Sequence, residues 1–138
     1  MTPVATMEGH VVASNLLKGD NRTANYAGIA SVVFTVPPLA AVGLLETEAR
    51  AKGFRFQVHS GDTAQWYLSR RIGEEASCYK LLVEDESGLV LGAHLLGAHS
   101  EELTNLFSMA IRFGIKASDI RQMAYSYPSR ASDVSYML

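Results

Sequence analysis

Cysteine is nearly absent: Cys78 stands alone, so no intrachain disulfide, CxxC pair or cysteine metal cluster can form. That scarcity fits a reducing cytoplasm, the expected compartment. Charge of one sign is also missing. Twelve basic residues stand against 14 acidic ones, a formal net charge of −2, and no basic stripe offers itself to nucleic acid or to an anionic membrane. The longest apolar run, Val32 to Leu45, is interrupted by Pro37-Pro38. It falls short of the roughly 18 to 20 residues that span a bilayer, and no charged leader followed by an apolar stretch opens the chain.

The signatures of self-sufficient catalysis are lacking too. No G-x-G-x-x-G lets a helix N-terminus approach a pyrophosphate. Gly92 and Gly97 are spaced like a phosphate loop, but Ala98-His99 replaces its lysine and hydroxyl. His10, His59, His94 and His99 form no H-x-x-x-H pair, so no metal site is expected. No G-x-S-x-G elbow supports a serine hydrolase. Cys78, in the alternating run Cys78-Tyr79-Lys80-Leu81-Leu82-Val83, reads as a small strand residue and not as a nucleophile.

What remains is an ordinary globular pattern, 48% apolar and 19% charged, in a chain the size of one domain. Thr2-Pro3 predicts a helix start with Thr2 as cap, running to Gly19. Ser31 to Val36 is β-branched and aromatic, a strand that Pro37-Pro38 ends. A short helix is expected over 46–52, then a half-buried strand through Phe54, Phe56 and Val58. Residues 61–71 are ambiguous, with Trp66-Tyr67 on a strand or a helical turn. Cys78 to Val83 and Leu89 to Leu96, joined by Glu84-Asp85-Glu86-Ser87-Gly88, give the strongest hairpin signal. Gly92 within it implies a bulge or a close backbone approach. Ser100 is expected to cap a helix whose apolar stripe is Leu103, Leu106, Phe107 and Ala110, with Gly114 as its end. Further helical turns are expected over 118–123 and 130–137, flanking an extended Tyr125-Ser126-Tyr127-Pro128. Strands and helices segregate instead of alternating, so the class is α+β, an antiparallel sheet with helices packed on one side.

Three separated stretches carry a resemblance. Ser31-Val-Val-Phe-Thr-Val-Pro-Pro-Leu-Ala-Ala-Val-Gly-Leu44 resembles the opening of the dimerisation domain in the pyridine nucleotide–disulfide oxidoreductases. Glutathione reductase, dihydrolipoamide dehydrogenase and mercuric reductase belong to that family. Leu91 to Phe107, continuing through Ala110-Ile111-Arg112, looks like the family's strand and following long helix. Thr2-Pro-Val-Ala5, Glu8-Gly9 and Val12-Ala13-x-Asn15-Leu16-Leu17 resemble the tail of its FAD domain.

The resemblance implies residues 1–28 as that tail and residues 29–138 as a glutathione-reductase-type dimerisation domain. It implies a homodimer, with FAD and NAD(P) domains elsewhere in a longer parent and neither cofactor gripped by this chain alone. Thr2, Ala5 and Tyr127 would be flavin-side contacts in such a parent. The family's His-Pro, whose histidine is an acid/base paired with a glutamate, completes the partner subunit's active site. Here Tyr127-Pro128 occupies that place, Ser132 falls at the glutamate's position, and Asp133 follows. A phenol with a pKa of about 10 is a poor base near neutrality. Tyr127 is therefore expected to position, through its backbone and Pro128, and not to transfer protons. Val36-Pro37-Pro38 replaces the family's commoner Asp-Pro-Glu, and Leu45 stands where a capping threonine is usual. The alternative is a free-standing homodimeric scaffold or regulator that docks on a separately encoded flavoprotein.

Overall fold

The computed structural model describes all 138 residues. Five strands form one sheet: β1 (Ser31–Val33), β2 (Leu39–Gly43), β3 (Phe56–Asp62), β4 (Cys78–Glu84) and β5 (Val90–Leu96). Their spatial order is β1-β2-β5-β4-β3, and every neighbouring pair is antiparallel. Six helices accompany them: α1 (Thr2–Lys18), α2 (Glu46–Ala51), α3 (Tyr67–Ile72), α4 (Ser100–Phe113), α5 (Ala117–Gln122) and α6 (Val134–Met137). A 3₁₀ turn, Arg130–Asp133, leads into α6.

The core lies between the sheet and α4. Val42, Ala93 and Leu81 sit opposite one another on β2, β5 and β4, making one apolar row across three strands. Leu103, Phe107 and Ala110, at helical spacing on α4, bury themselves against it. Ile120, Val134 and Met137 close the same layer from α5 and α6. The expected antiparallel sheet with its main helices on one side is what forms. On the opposite face, the chain entering α2 runs over Gly92, and Glu46 pairs with Lys80 of β4.

Several local expectations need correction. Thr2 does not cap α1: Met1 is the capping residue and Thr2 is already helical, its carbonyl accepting from the Thr6 hydroxyl at 3.1 Å. Ser100 does not cap α4 either. His99 takes that place at φ 63°, and the Ser100 hydroxyl donates instead to the Pro38 carbonyl at 2.9 Å. The strand expected through Val36 stops at Val33, because the chain turns at Thr35, its amide donating to the Val33 carbonyl at 2.9 Å and its hydroxyl to the Pro37 carbonyl at 2.7 Å. After that turn the chain re-enters the sheet as β2, a strand of small apolar residues to which the sequence reading assigns no element. Trp66-Tyr67 resolves as the start of a helix, α3.

Helix α1 buries none of its residues, and Leu16 and Leu17 are among its exposed side chains. Polar bonds hold it to the following segment: the Tyr26 hydroxyl donates to Glu8 at 2.8 Å and Asn15 Nδ2 to the Arg22 carbonyl at 2.9 Å. The bond to Glu8, with that carboxylate's charge adding to it, pushes the Tyr26 phenol above its ordinary pKa. The segment then crosses α4, where Arg112 donates to the carbonyls of Asn25 and Ala27. No helix is long and apolar enough to cross a membrane.

Candidate functional site

The residues singled out in the sequence fall on two separate parts of the chain. Thr2 and Ala5 lie exposed on the first turn of α1. Tyr127 and Pro128 lie on the connection between α5 and the 3₁₀ turn, also exposed, with Tyr127 77% accessible. No hydrogen bond joins the two parts. The Tyr127-Pro128 peptide is cis.

The flanks of Tyr127-Pro128 explain its exposure. Upstream, the half-buried Tyr125 packs against the core and its hydroxyl donates to the Ile120 carbonyl at 2.9 Å. Burial pushes that phenol's pKa up. Downstream, Ser129 caps the 3₁₀ turn, its hydroxyl accepting from the Ser132 amide at 3.2 Å and donating to the Ser126 carbonyl at 2.6 Å. The Ser132 hydroxyl accepts in turn from the Ser129 amide at 3.2 Å, the reciprocal arrangement of a capping box. Ser132 is thus engaged in holding the turn. Asp133 beside it is a carboxyl whose pKa burial raises, against an opposing pull from Arg130. One of its oxygens is buried with no hydrogen-bond partner.

A second feature was invisible in the sequence. Arg130 and Glu74 form a buried ion pair at 2.6 Å, their side chains only 12% and 7% exposed. Ser69 joins both, accepting from Arg130 at 3.0 Å and donating to Glu74 at 3.2 Å. The other Glu74 oxygen accepts from the Ala98 amide. Glu74 and Arg130 are 56 positions apart, and no periodicity marks them as partners.

Helix α4 presents a third. Opposite its buried stripe, Met109 and Phe113 are exposed. Between α4 and α5 runs an apolar groove of about 500 Å³ lined by Leu106, Met109, Ile115, Ile120, Met123 and Tyr125. Exposed apolar surface of this kind is characteristic of contact faces. The four histidines are dispersed, with His94 Nε2 3.2 Å from the Leu44 carbonyl and His99 Nδ1 3.8 Å from Glu101. The single cysteine, Cys78, is exposed at the start of β4.

An antiparallel sheet backed by one amphipathic helix, with an apolar outer groove and an exposed aromatic–proline segment, places the chain among small α+β domains. The comparisons with known proteins specify which. Residues 29–137 match the family model described as pyridine nucleotide-disulphide oxidoreductase, dimerisation domain. The chain belongs to that family. It is 42% identical over 138 residues to an "uncharacterized 19.7 kDa protein in mercuric resistance operon" of Staphylococcus aureus, covering all of this chain and 77% of that protein. It is 31% identical over 125 residues to a dihydrolipoyl dehydrogenase of Bacillus subtilis (strain 168), covering 91% of this chain and 26% of that enzyme. Among solved structures, the HOCl-induced flavoprotein disulfide reductase RclA of Escherichia coli, as its Cu(II) complex, superposes with a TM-score of 0.89 at 27% identity. That match covers 99% of this chain and 31% of RclA. The chain thus spans most of one short relative, and only about a quarter to a third of these enzymes.

Proposed function

We propose that the chain is the dimerising, active-site-completing part of an oxidoreductase that uses FAD and NAD(P), and that it carries out no redox chemistry alone. The observation that carries this reading is the family match over 29–137, and the exposure of Tyr127-Pro128, which the resemblance puts at the place of the family's His-Pro, supports it. Residues 1–28 then act as the tail of an FAD domain and residues 29–138 as the dimerisation domain. That division is supported by a match beginning at residue 29 and by an α1 that buries nothing in this chain. In an assembly containing flavin, Thr2 and Ala5 would approach the isoalloxazine ring from the chain's own side, and Tyr127-Pro128 from the partner's. FAD would supply the electron transfer; this chain's residues would orient and enclose it. A reducing cytoplasm is the compartment the reading implies.

Sedimentation velocity tests it. A homodimer is expected at micromolar concentration, since interfaces of the obligate kind often exceed ~2,000 Å², and Met109→Asp on the outer face of α4 should give a monomer. A wild-type chain that sediments as a monomer would count against the proposal.

One observation favours a second reading, in which the chain docks on a separately encoded flavoprotein. The Staphylococcus aureus relative has a mass of 19.7 kDa, and this chain covers 77% of it. The uncovered quarter is smaller than one nucleotide-binding domain, let alone two, at typical domain sizes of about 100–150 residues. Sequencing the gene upstream of the Thr2 codon separates the readings. A continuous frame with glycine-rich nucleotide motifs supports the first, and a stop codon followed by a ribosome-binding site supports the second.

A further inference from the structure

We propose that the buried Arg130–Glu74 pair is the positioning device for Tyr127-Pro128, fixing where that dipeptide projects. The proposal rests on the reading that this dipeptide faces a partner's flavin. The dipeptide cannot set its own direction by packing, because Tyr127 is 77% exposed and its hydroxyl has no hydrogen bond. It hangs between two anchors, with the Ser129 hydroxyl bridging back across it to the Ser126 carbonyl at 2.6 Å. Upstream, Tyr125 packs its ring against the core and its hydroxyl donates to the Ile120 carbonyl at 2.9 Å. Downstream, Arg130 lies two residues beyond Pro128, at the first position of a 3₁₀ turn that the reciprocal Ser129–Ser132 bonds make stiff.

The downstream anchor is unusually well determined. Arg130 spends two different guanidinium nitrogens on two different acceptors, Glu74 Oε2 at 2.6 Å and Ser69 Oγ at 3.0 Å. A planar fork held at two points fixes orientation as well as distance. Glu74 is immobilised in turn by Ser69 and by the amide of Ala98. The network therefore ties the C-terminal segment to α3 and to the turn between β5 and α4. Stability alone is a poor reason for such a pair. Buried ion pairs can often be exchanged for apolar residues at no loss, whereas a fork gives direction that an apolar contact does not.

Backbone ¹⁵N relaxation on the full chain, with Arg130→Met and Arg130→Lys beside the wild type, tests the proposal. The wild-type amides of Tyr127 and Ser129 should show order parameters near the rigid value of about 0.85. In Arg130→Met they should fall below about 0.6. Arg130→Lys, which keeps the charge and loses the fork, should rescue part of that drop, while β4 and β5 stay unchanged in both. If Arg130→Met does not fold, Arg130→Lys and Glu74→Gln decide the matter on the same readout. The proposal is overturned if a folded variant keeps wild-type order at Tyr127 and Ser129. It is also overturned if the loosening spreads equally through β4 and β5, because the pair would then hold the fold and not the dipeptide. The measurement needs no flavin, so it can fail while the functional reading stands. A monomer in sedimentation would instead remove that reading and leave the anchor intact.

Discussion

Gly92 and Leu44 touch through their backbones: a Cβ built on Gly92 would overlap the Leu44 carbonyl oxygen. The contact places the chain entering α2 directly over the central strand, and the Leu44 amide secures it by donating to the Leu91 carbonyl at 2.8 Å. Beside it the ladder shifts register, so that Leu82 faces Gly92 while Val83 faces Val90. The obstacle is main chain and cannot rotate away. Gly92→Ala should therefore cost about 3 kcal/mol, the upper end of what overpacking a core usually does. Gly9, inside α1 with open space around it, gives the contrast. Gly9→Ala should stabilise α1 by about 0.5–1 kcal/mol. Urea melts of the two variants would show opposite displacements of the midpoint; equal midpoints would refute the contact.

Asp133 predicts a stability that changes with pH. Burial raises its folded pKa above the ordinary carboxylate value, with Arg130 opposing. A carboxyl whose folded pKa is raised binds its proton more tightly in the native state. Its contribution is then fully present below the unfolded pKa, near 3.9, and is lost as pH rises through the folded one. At pH 7 the ionised side chain is a liability, with one buried oxygen lacking a partner. Asp133→Asn should raise the melting temperature at pH 7 by about 1–4 °C, and the advantage should vanish towards pH 3. A pH-independent gain would assign the effect to something other than titration.

Tyr127 should not behave as an acid or base. In any flavoprotein assembly that contains this chain, Tyr127→Phe is expected to change turnover by less than about threefold. Loss of a working general acid/base typically costs about 10²–10⁴ in rate. A hundredfold loss with an altered pH profile would show that the phenol is chemically active.

The purified chain should be colourless and should not oxidise NADH or NADPH with disulfide or quinone acceptors. Neither nucleotide fingerprint occurs in the sequence. Stoichiometric flavin in a yellow preparation would contradict this.

The legible parts of the fold were those with strong local periodicity. The β4–β5 hairpin could be read because Glu84 to Gly88 is all turn-forming or acidic and both flanks are rich in large apolar residues. Helix α4 could be read from Leu103, Phe107 and Ala110. Strand β2 could not. Leu39-Ala-Ala-Val-Gly43 has little β-branching and no polar alternation, since its buried residues answer to neighbours far along the chain. The caps misled for a related reason. Thr2 and Ser100 have the right side chains, but Met1 takes the terminal place in one case, and Pro38 draws the hydroxyl away in the other. At the candidate site, the place of Tyr127-Pro128 followed from resemblance, whereas the Arg130–Glu74–Ser69 network is a product of tertiary folding alone and has no sequence signal.

The sheet order carries a consequence for how the chain reaches this structure. Strand β5 is central, flanked by β4, its neighbour in sequence, and by β2, which arrives from the far side of α2, β3, α3 and β4. Closing the short β4–β5 turn costs little chain entropy, but bringing Leu39 opposite Leu96 requires a much longer loop to close. Assembly should therefore begin in the C-terminal half, with α4 settling on β4–β5, and β2 should zip on late. Substitutions at Leu81 or Phe107 should slow refolding, whereas Val42→Ala should mainly hasten unfolding. The edge formed by β1 and β2 is then the last part of the sheet to form and the first to open.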